Sequence, residues 1–138
     1  MATKVFINLA VKDLDRSKEF YTKIGFTINP QFTNEKAACV VISDTIYAMI
    51  LIEEFFKTFI PNKQISDAKV STEVLVAISV ESKDEVNEML DKVFAAGGKE
   101  ARPAEDHGFM FSRSFEDPDG HIWEVFWMDI NAAPPTPK

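Results

Sequence analysis

One carboxylate in an apolar strand is the strongest candidate for chemistry in this sequence. Residues 115–127 predict a strand, a tight turn at 117–120 and a second strand. Alternation along that second strand puts Glu124 on the same face as Ile122 and Phe126, opposite Trp123. A carboxylate among apolar side chains needs a counter-ion, a metal or a raised pKa. Glu124 is therefore either a functional group or a salt-bridged glutamate at a sheet edge.

The composition and net charge of the chain exclude some classes of binding partner. The chain has 138 residues, which fits one domain, and a net charge of −7, which argues against nucleic acid and anionic membranes. A small anion held by one local arginine remains compatible with that charge. The lone Cys39 excludes an intrachain disulfide, and no apolar run reaches the length of a membrane span. We expect a cytoplasmic protein.

Two similar halves must position Glu124. The first predicts a strand at 5–11, a helix from the N-cap Asp13 to Ile24, and strands at 26–33, 37–43 and 46–53. The second predicts a strand at 74–80, a helix behind a capping box at 82–85, and strands near 99–103, 109–115 and 121–128. We predict an α+β fold of two βαβββ modules, about 4–53 and 73–130, followed by a tail at 131–138. Curved mixed sheets would enclose a cavity, with the helices outside.

Residues 54–72 connect the two halves, and their apolar residues show neither the helical nor the strand period. Phe55, Phe56 and Phe59 make pure disorder unfavourable, because they would expose a large apolar surface. The segment is either a crossover that covers a cavity or a linker packed on the sheet edge.

Strand alternation predicts which side chains face that cavity. The sets are Phe6, Asn8 and Ala10 on the first strand, Leu75, Ala77 and Ser79 on the fifth, and Ile122, Glu124, Phe126 and Met128 on the last. The lining is apolar except for Asn8, Ser79 and Glu124. Trp123 and Trp127 lie on the opposite face, either in the core or at a dimer contact.

The motifs resemble those of the vicinal oxygen chelate superfamily. The residues that carry the resemblance are 9–17 (LAVKDLDRS), Phe20-Tyr21, Gly25-Phe26, 96–98 (AGG) and 115–121 (FEDPDGH) with Glu124. This superfamily includes glyoxalase I, extradiol dioxygenases, fosfomycin-resistance enzymes and bleomycin-resistance proteins. The chain looks most like bacterial proteins described as predicted lactoylglutathione lyases. The resemblance implies paired modules and, frequently, a homodimer.

The resemblance also implies a divalent metal held by one side chain from each of four strands. The corresponding positions are Phe6, Leu51, Leu75 and Glu124, and only Glu124 carries a ligand-type residue. We therefore expect no metal cofactor at the usual site. A displaced site through Glu53, His107, His121 or Glu124 stays open, although His121 and Glu124 point to opposite faces.

Three functions follow. The first is a metal-free binding protein for a small, partly aromatic ligand, with Phe6, Asn8, Leu51, Leu75, Ser79 and Phe126 as binding residues; the acidic surface suits a cation. The second is a lyase or isomerase with Glu124 as the general base, and with Asn8, Ser79 or Arg113 steadying an enolate. Arg113 serves only if a bulge turns it from the helix side. The third is an enzyme with a metal at a non-standard place.

Overall fold

A computed structural model describes residues 3–131, and it shows an α+β fold with two mixed sheets. The first half contains β1 (Val5–Val11), α1 (Leu14–Lys23), β2 (Thr27–Asn29), a 3₁₀ turn (Pro30–Phe32), β3 (Ala37–Val41) and β4 (Ile46–Ile52). Its sheet has the order β1-β4-β3-β2, with β1 parallel to β4. This is the predicted strand, helix and three strands, with shorter strands than expected.

The second half repeats this plan. It contains β5 (Leu75–Ser79), α3 (Lys83–Ala95), β6 (Lys99–Glu100), β7 (Glu105–Asp106), β8 (Met110–Glu116) and β9 (Ile122–Met128). The order is β5-β9-β8-β6, with β5 parallel to β9 and β7 paired with β8. The two-residue strand β7 lies between the predicted strands near 99–103 and 109–115, and it was not predicted. Of the predicted tail, residues 132–138 lie outside the described residues.

Both long helices begin at the predicted caps. The Asp13 carboxylate accepts from the backbone N–H of Arg16, and the Ser82 hydroxyl accepts from that of Glu85. The capping box is incomplete, because the Glu85 carboxylate accepts from the backbone of Glu81 rather than of Ser82. A helix absent from our prediction, α2 (Glu53–Lys57), opens the crossover and packs on β1 and β4.

One apolar core joins the two halves. The buried stripe of α1 and the buried stripe of α3 contribute to it together with the helix-facing sides of both sheets. Trp123 is completely buried there, which confirms the core interpretation for this residue. The other faces of the two sheets do not close on each other, since Phe6 is 48% and Leu75 is 58% exposed. The chain therefore leaves parts of the predicted inner faces open to solvent, around Phe6 and Leu75, whereas Leu51 on the same face of the first sheet is buried.

Gly120 lets the crossover pack against the turn before β9. Its φ is +95°, and a Cβ at this position would lie 2.9 Å from the carbonyl oxygen of Ala68. Glycine is needed here for both the backbone conformation and the close approach. The crossover is thus seated on the second half rather than free of it. None of the helices in residues 3–131 has the length and apolar character that crossing a bilayer requires.

Candidate functional site

The turn at 117–120 binds the second half to α1. The Asp119 carboxylate accepts from the backbone N–H of Lys12 (2.9 Å) and from the Ser17 hydroxyl (3.3 Å). Arg16 lies 3.6 Å from the same carboxylate. Ser17 belongs to the buried stripe of α1, and its hydroxyl finds its hydrogen-bond partner in Asp119. Asp119 therefore has a structural role in joining the halves.

Asp117 is the centre of a buried polar network. The Tyr21 hydroxyl donates to one carboxylate oxygen at 2.5 Å, and the indole N–H of Trp123 donates to the Tyr21 hydroxyl at 3.1 Å. The other oxygen accepts from the backbone of Asp119 and His121. Burial raises the pKa of Asp117, and burial, followed by the Asp117 charge, raises that of Tyr21. The phenol therefore keeps its proton and donates.

Glu124 lies on the predicted face of β9, but it has a counter-ion. A guanidinium N–H of Arg102 donates to the Glu124 carboxylate at 2.6 Å, and another donates to Glu105. Glu105 in turn contacts His107 at 3.2 Å. The hydrogen bond from Arg102 to Glu124 is the main cause of a raised pKa for Arg102. Of the two interpretations of Glu124, the structure shows a salt-bridged glutamate, on the interior strand β9 rather than at a sheet edge.

Arg102 is the residue that the sequence did not reveal. Its backbone N–H donates to the hydroxyl of Ser114, which pairs with Glu124 across β8 and β9. Arg102 comes two residues after β6 ends, so strand alternation gives no direction for its side chain. Arg113, the arginine we had considered, points to the helix side and contacts Glu100 and Asn87.

A cavity of about 390 Å³ lies beneath the crossover, between β1, the residues just before β5 and the start of β9. We predicted a cavity between the inner faces of two sheets, and this cavity lies instead where the two sheets meet under the crossover. Its apolar lining comes from three parts of the chain: Leu9 and Ala10 of β1, Phe56, Ile60 and Ile65 of the crossover, and Val74 and Ile122 of the second half.

The polar side chains that line this cavity are Asn8, Lys63, Gln64, Ser66, Ser71, Thr72, Glu73 and His121. The His121 ring donates through Nε2 to the carbonyl oxygen of Ala10 at 2.7 Å, which leaves Nδ1 as an acceptor in the neutral ring. The Asn8 amide donates to the carbonyl oxygen of Phe6. Of the six ligand-binding residues predicted from the sequence, Asn8 is the one that lines this cavity.

The register of the two parallel strand pairs shows how far apart the other predicted ligand-binding residues lie. Phe6 pairs with Tyr47, whereas Leu51 pairs with Ala10 at the far end of β1, about 13 Å along the strands. Leu51 is only 2% exposed. In the second half, Leu75 pairs with Ile122 and Ser79 with Phe126, on the same face as Glu124. Phe6 and Leu51 are therefore not brought together.

The family model of the Glyoxalase/Bleomycin resistance protein/Dioxygenase superfamily matches residues 5–125. The chain belongs to this superfamily. The resemblance seen in the sequence is thereby confirmed, and the two mixed sheets agree with the glyoxalase fold. The comparison with curated proteins finds no match for the chain.

Several solved structures share the fold of this chain. The hypothetical protein SA1046 from S. aureus is 26% identical, with a TM-score of 0.75 over 92% of this chain and 95% of that chain. A glyoxalase/bleomycin resistance protein/dioxygenase family enzyme from Burkholderia phytofirmans PsJN is 14% identical, with a TM-score of 0.77 over 92% and 99%. The fosfomycin resistance protein FosX from Mesorhizobium loti is 14% identical, with a TM-score of 0.68 over 95% and 96%.

The internal repeat also corrects one metal-ligand position that the resemblance implied. In the second half, Glu124 pairs with Ala77, which lies two residues after Leu75. In the first half, the residue two positions after Phe6 is Asn8, and Asn8 pairs with Met49. The fourth-strand position is therefore Met49 rather than Leu51. Phe6, Met49 and Leu75 offer phenyl, thioether and isobutyl groups, which together with the single carboxylate of Glu124 do not suit a divalent metal of the glyoxalase type.

The displaced metal site has no support either. His121 is bonded to Ala10, His107 is bonded to Glu105, and the Arg102 cation lies between Glu105 and Glu124. Residues 3–131 contain no group of three or more His, Cys, Asp or Glu side chains suited to a metal ion. The donors that the chain offers therefore do not fit the metal implied by the fold.

Proposed function

We propose that this member of the glyoxalase superfamily binds a small organic ligand whose apolar body occupies the cavity beneath the crossover. The observation that supports the proposal is the cavity itself. Its volume falls within the usual range for small-molecule sites, and its lining is mainly apolar with a few polar groups. Burial of the ligand's apolar surface would supply most of the affinity.

The ligand would extend from the cavity along the open face of the second sheet. Ile122 lines the cavity, and Glu124 follows it two residues later on the same face, about 7 Å away. The exposed Leu75 lies beside Ile122, and Ser79 and Phe126 continue the same surface. We assign ligand contacts to Asn8 and Leu75, with Ser79 and Phe126 at the outer end.

We assign Glu124 the role of positioning Arg102, in place of the general base that the sequence suggested. One oxygen of Glu124 already accepts a charge-assisted hydrogen bond from Arg102. A general base must direct a carboxylate oxygen at the ligand's C–H group, whereas the contact that the structure shows for Glu124 is directed at Arg102. Binding thus agrees better with the observed contacts than a lyase or isomerase reaction.

We also propose that two chains associate through the open sheet faces. Phe6, Leu75 and Met128 lie on these faces and are all at least 40% exposed, and a second copy would bury this apolar surface together with the bound ligand. Sedimentation velocity at micromolar protein concentration should show a dimer. The substitution Leu75→Asp should shift it to a monomer, and Val70→Asp, at an 82% exposed position in the crossover, should not. A wild-type monomer would contradict the proposal.

Calorimetric titration with 4-phenyl-1-butanol tests the binding function. This neutral probe carries an aromatic apolar body and no charge that could bind elsewhere on the surface. We expect one probe per chain with a Kd of roughly 0.1–1 mM, since a ligand of this size gains about 0.3–0.5 kcal/mol per heavy atom. Absence of saturable binding would refute the proposed function.

A further inference from the structure

We propose that Arg102 makes the site selective for organic carboxylates, by binding the ligand's carboxylate in the position that Glu105 now holds. The inference rests on the proposed function and specifies its ligand class: a small carboxylate with an apolar body. The three groups that support it are Glu124, Arg102 and Glu105, which form one continuous chain of charge-assisted hydrogen bonds.

The Arg102 guanidinium is held in place from one side. The side chain of Glu124 is only 16% exposed and contacts one terminal nitrogen of Arg102. The backbone of Arg102 is bonded to Ser114, a completely buried residue next to Glu124. Because an arginine fixed in this way loses little side-chain freedom on binding, its remaining N–H groups form a prepared receptor for a planar anion.

The other partner of Arg102 is easily exchanged. The side chain of Glu105 is 47% exposed, and Glu105 belongs to the two-residue strand β7. Exposed ion pairs contribute little to stability, because solvent screens the two charges. A hydrogen bond from His107 is the main cause of a lowered pKa for Glu105, with Arg102 second, so Glu105 is an ionised carboxylate. Glu105 therefore shows which chemical group this side of Arg102 accepts.

The position of Arg102 also sets the size of the ligand. Glu124 lies about 7 Å along β9 from Ile122 in the cavity wall. An aromatic ring in the cavity and a chain of three or four carbon atoms would bring a carboxylate to this distance.

The net charge of −7 suggested a cationic ligand, but the local contacts oppose it. The Glu124 oxygen that faces Arg102 is already neutralised, so an organic cation would have to displace a guanidinium bonded at 2.6 Å. An anion has only to displace the exposed Glu105. Displacing Glu105 costs less free energy than displacing Arg102, so the site favours a carboxylate over an organic cation.

Three probes with one apolar body and different charges test the inference. The probes are 4-phenylbutyrate, 4-phenyl-1-butanol and 4-phenylbutylamine, each titrated calorimetrically into the full-length protein at low ionic strength. We expect the butyrate to bind about tenfold more tightly than the alcohol, the amount expected from one charge-assisted hydrogen bond. The substitution Arg102→Gln should remove this preference, and Glu105→Gln should strengthen butyrate binding about two- to fivefold.

Two control variants carry the same changes in charge away from the sheet face that is proposed to hold the ligand. Arg113→Gln removes an arginine from the helix side of the sheet, and Glu35→Gln removes a glutamate from a turn in the first half. Both should keep the tenfold preference, and circular dichroism should show that all four variants are folded.

The outcomes distinguish failure of the Arg102 proposal from failure of the cavity proposal. Equal affinity for butyrate and alcohol, a preference that persists in Arg102→Gln, or tightest binding of the amine would overturn the role of Arg102 and leave the cavity proposal standing. Absence of binding for all three probes would overturn both.

Discussion

Replacing Tyr21 by phenylalanine is expected to lower the free energy of unfolding by about 2–4 kcal/mol. The substitution removes the donor that Asp117 accepts and the acceptor that the buried Trp123 indole uses. It therefore leaves two buried polar groups without these partners, and each such group costs about 1–3 kcal/mol. The effect is large because Tyr21 on α1 is where the first half contacts the turn before β9.

Urea unfolding followed by tryptophan fluorescence measures this effect, and the chain provides a matched control. Tyr47 is the other tyrosine, and its hydroxyl donates to the Asp44 carbonyl oxygen at the surface. Tyr47→Phe should change the free energy of unfolding by less than about 0.5 kcal/mol. Equal effects of the two substitutions would mean that the Asp117 network does not join the halves.

Replacing Asn8 by tryptophan is expected to weaken binding of 4-phenyl-1-butanol at least tenfold. Asn8 lines the cavity from β1, and an indole at this position would take up the space proposed for the ligand's ring. Asn8 is exposed, and aromatic residues suit strands, so the fold should tolerate the change. The lost affinity corresponds to about 1.4 kcal/mol or more of apolar burial.

Calorimetry of the variant, with thermal unfolding as a check of stability, provides the measurement. Thr27→Trp introduces the same side chain at an exposed position on β2, at the other edge of the same sheet. This control should bind the probe as the wild type does. Unchanged binding by Asn8→Trp would place the ligand outside the cavity.

Local patterns in the sequence predicted most of the fold. Asp13 and Ser82 start their helices, and the alternation that put Glu124 and Trp123 on opposite faces of β9 is correct. These features depend on residues close together in the chain. The short helix α2 was missed because the sequence from Glu53 to Lys57 spans little more than one turn and shows no helical period.

The site was harder to predict because it depends on pairing between distant segments. Assigning Leu51 to the position equivalent to Glu124 required the register of β1 against β4, and the observed register selects Met49. The partner of Glu124 is Arg102, 22 residues earlier in the chain and outside any strand. The cavity lies at the junction of three segments, so no single stretch of sequence indicated its place.

Mapping of amide chemical shifts on ¹⁵N-labelled protein during titration with 4-phenyl-1-butanol is the most direct test of the proposed binding site. We predict saturable shifts for residues 8–10, 60–74 and 121–122, which surround the cavity, and little change on α3 or on β2. Shifts confined to any other part of the molecule, or no saturable shifts, would contradict a ligand site beneath the crossover.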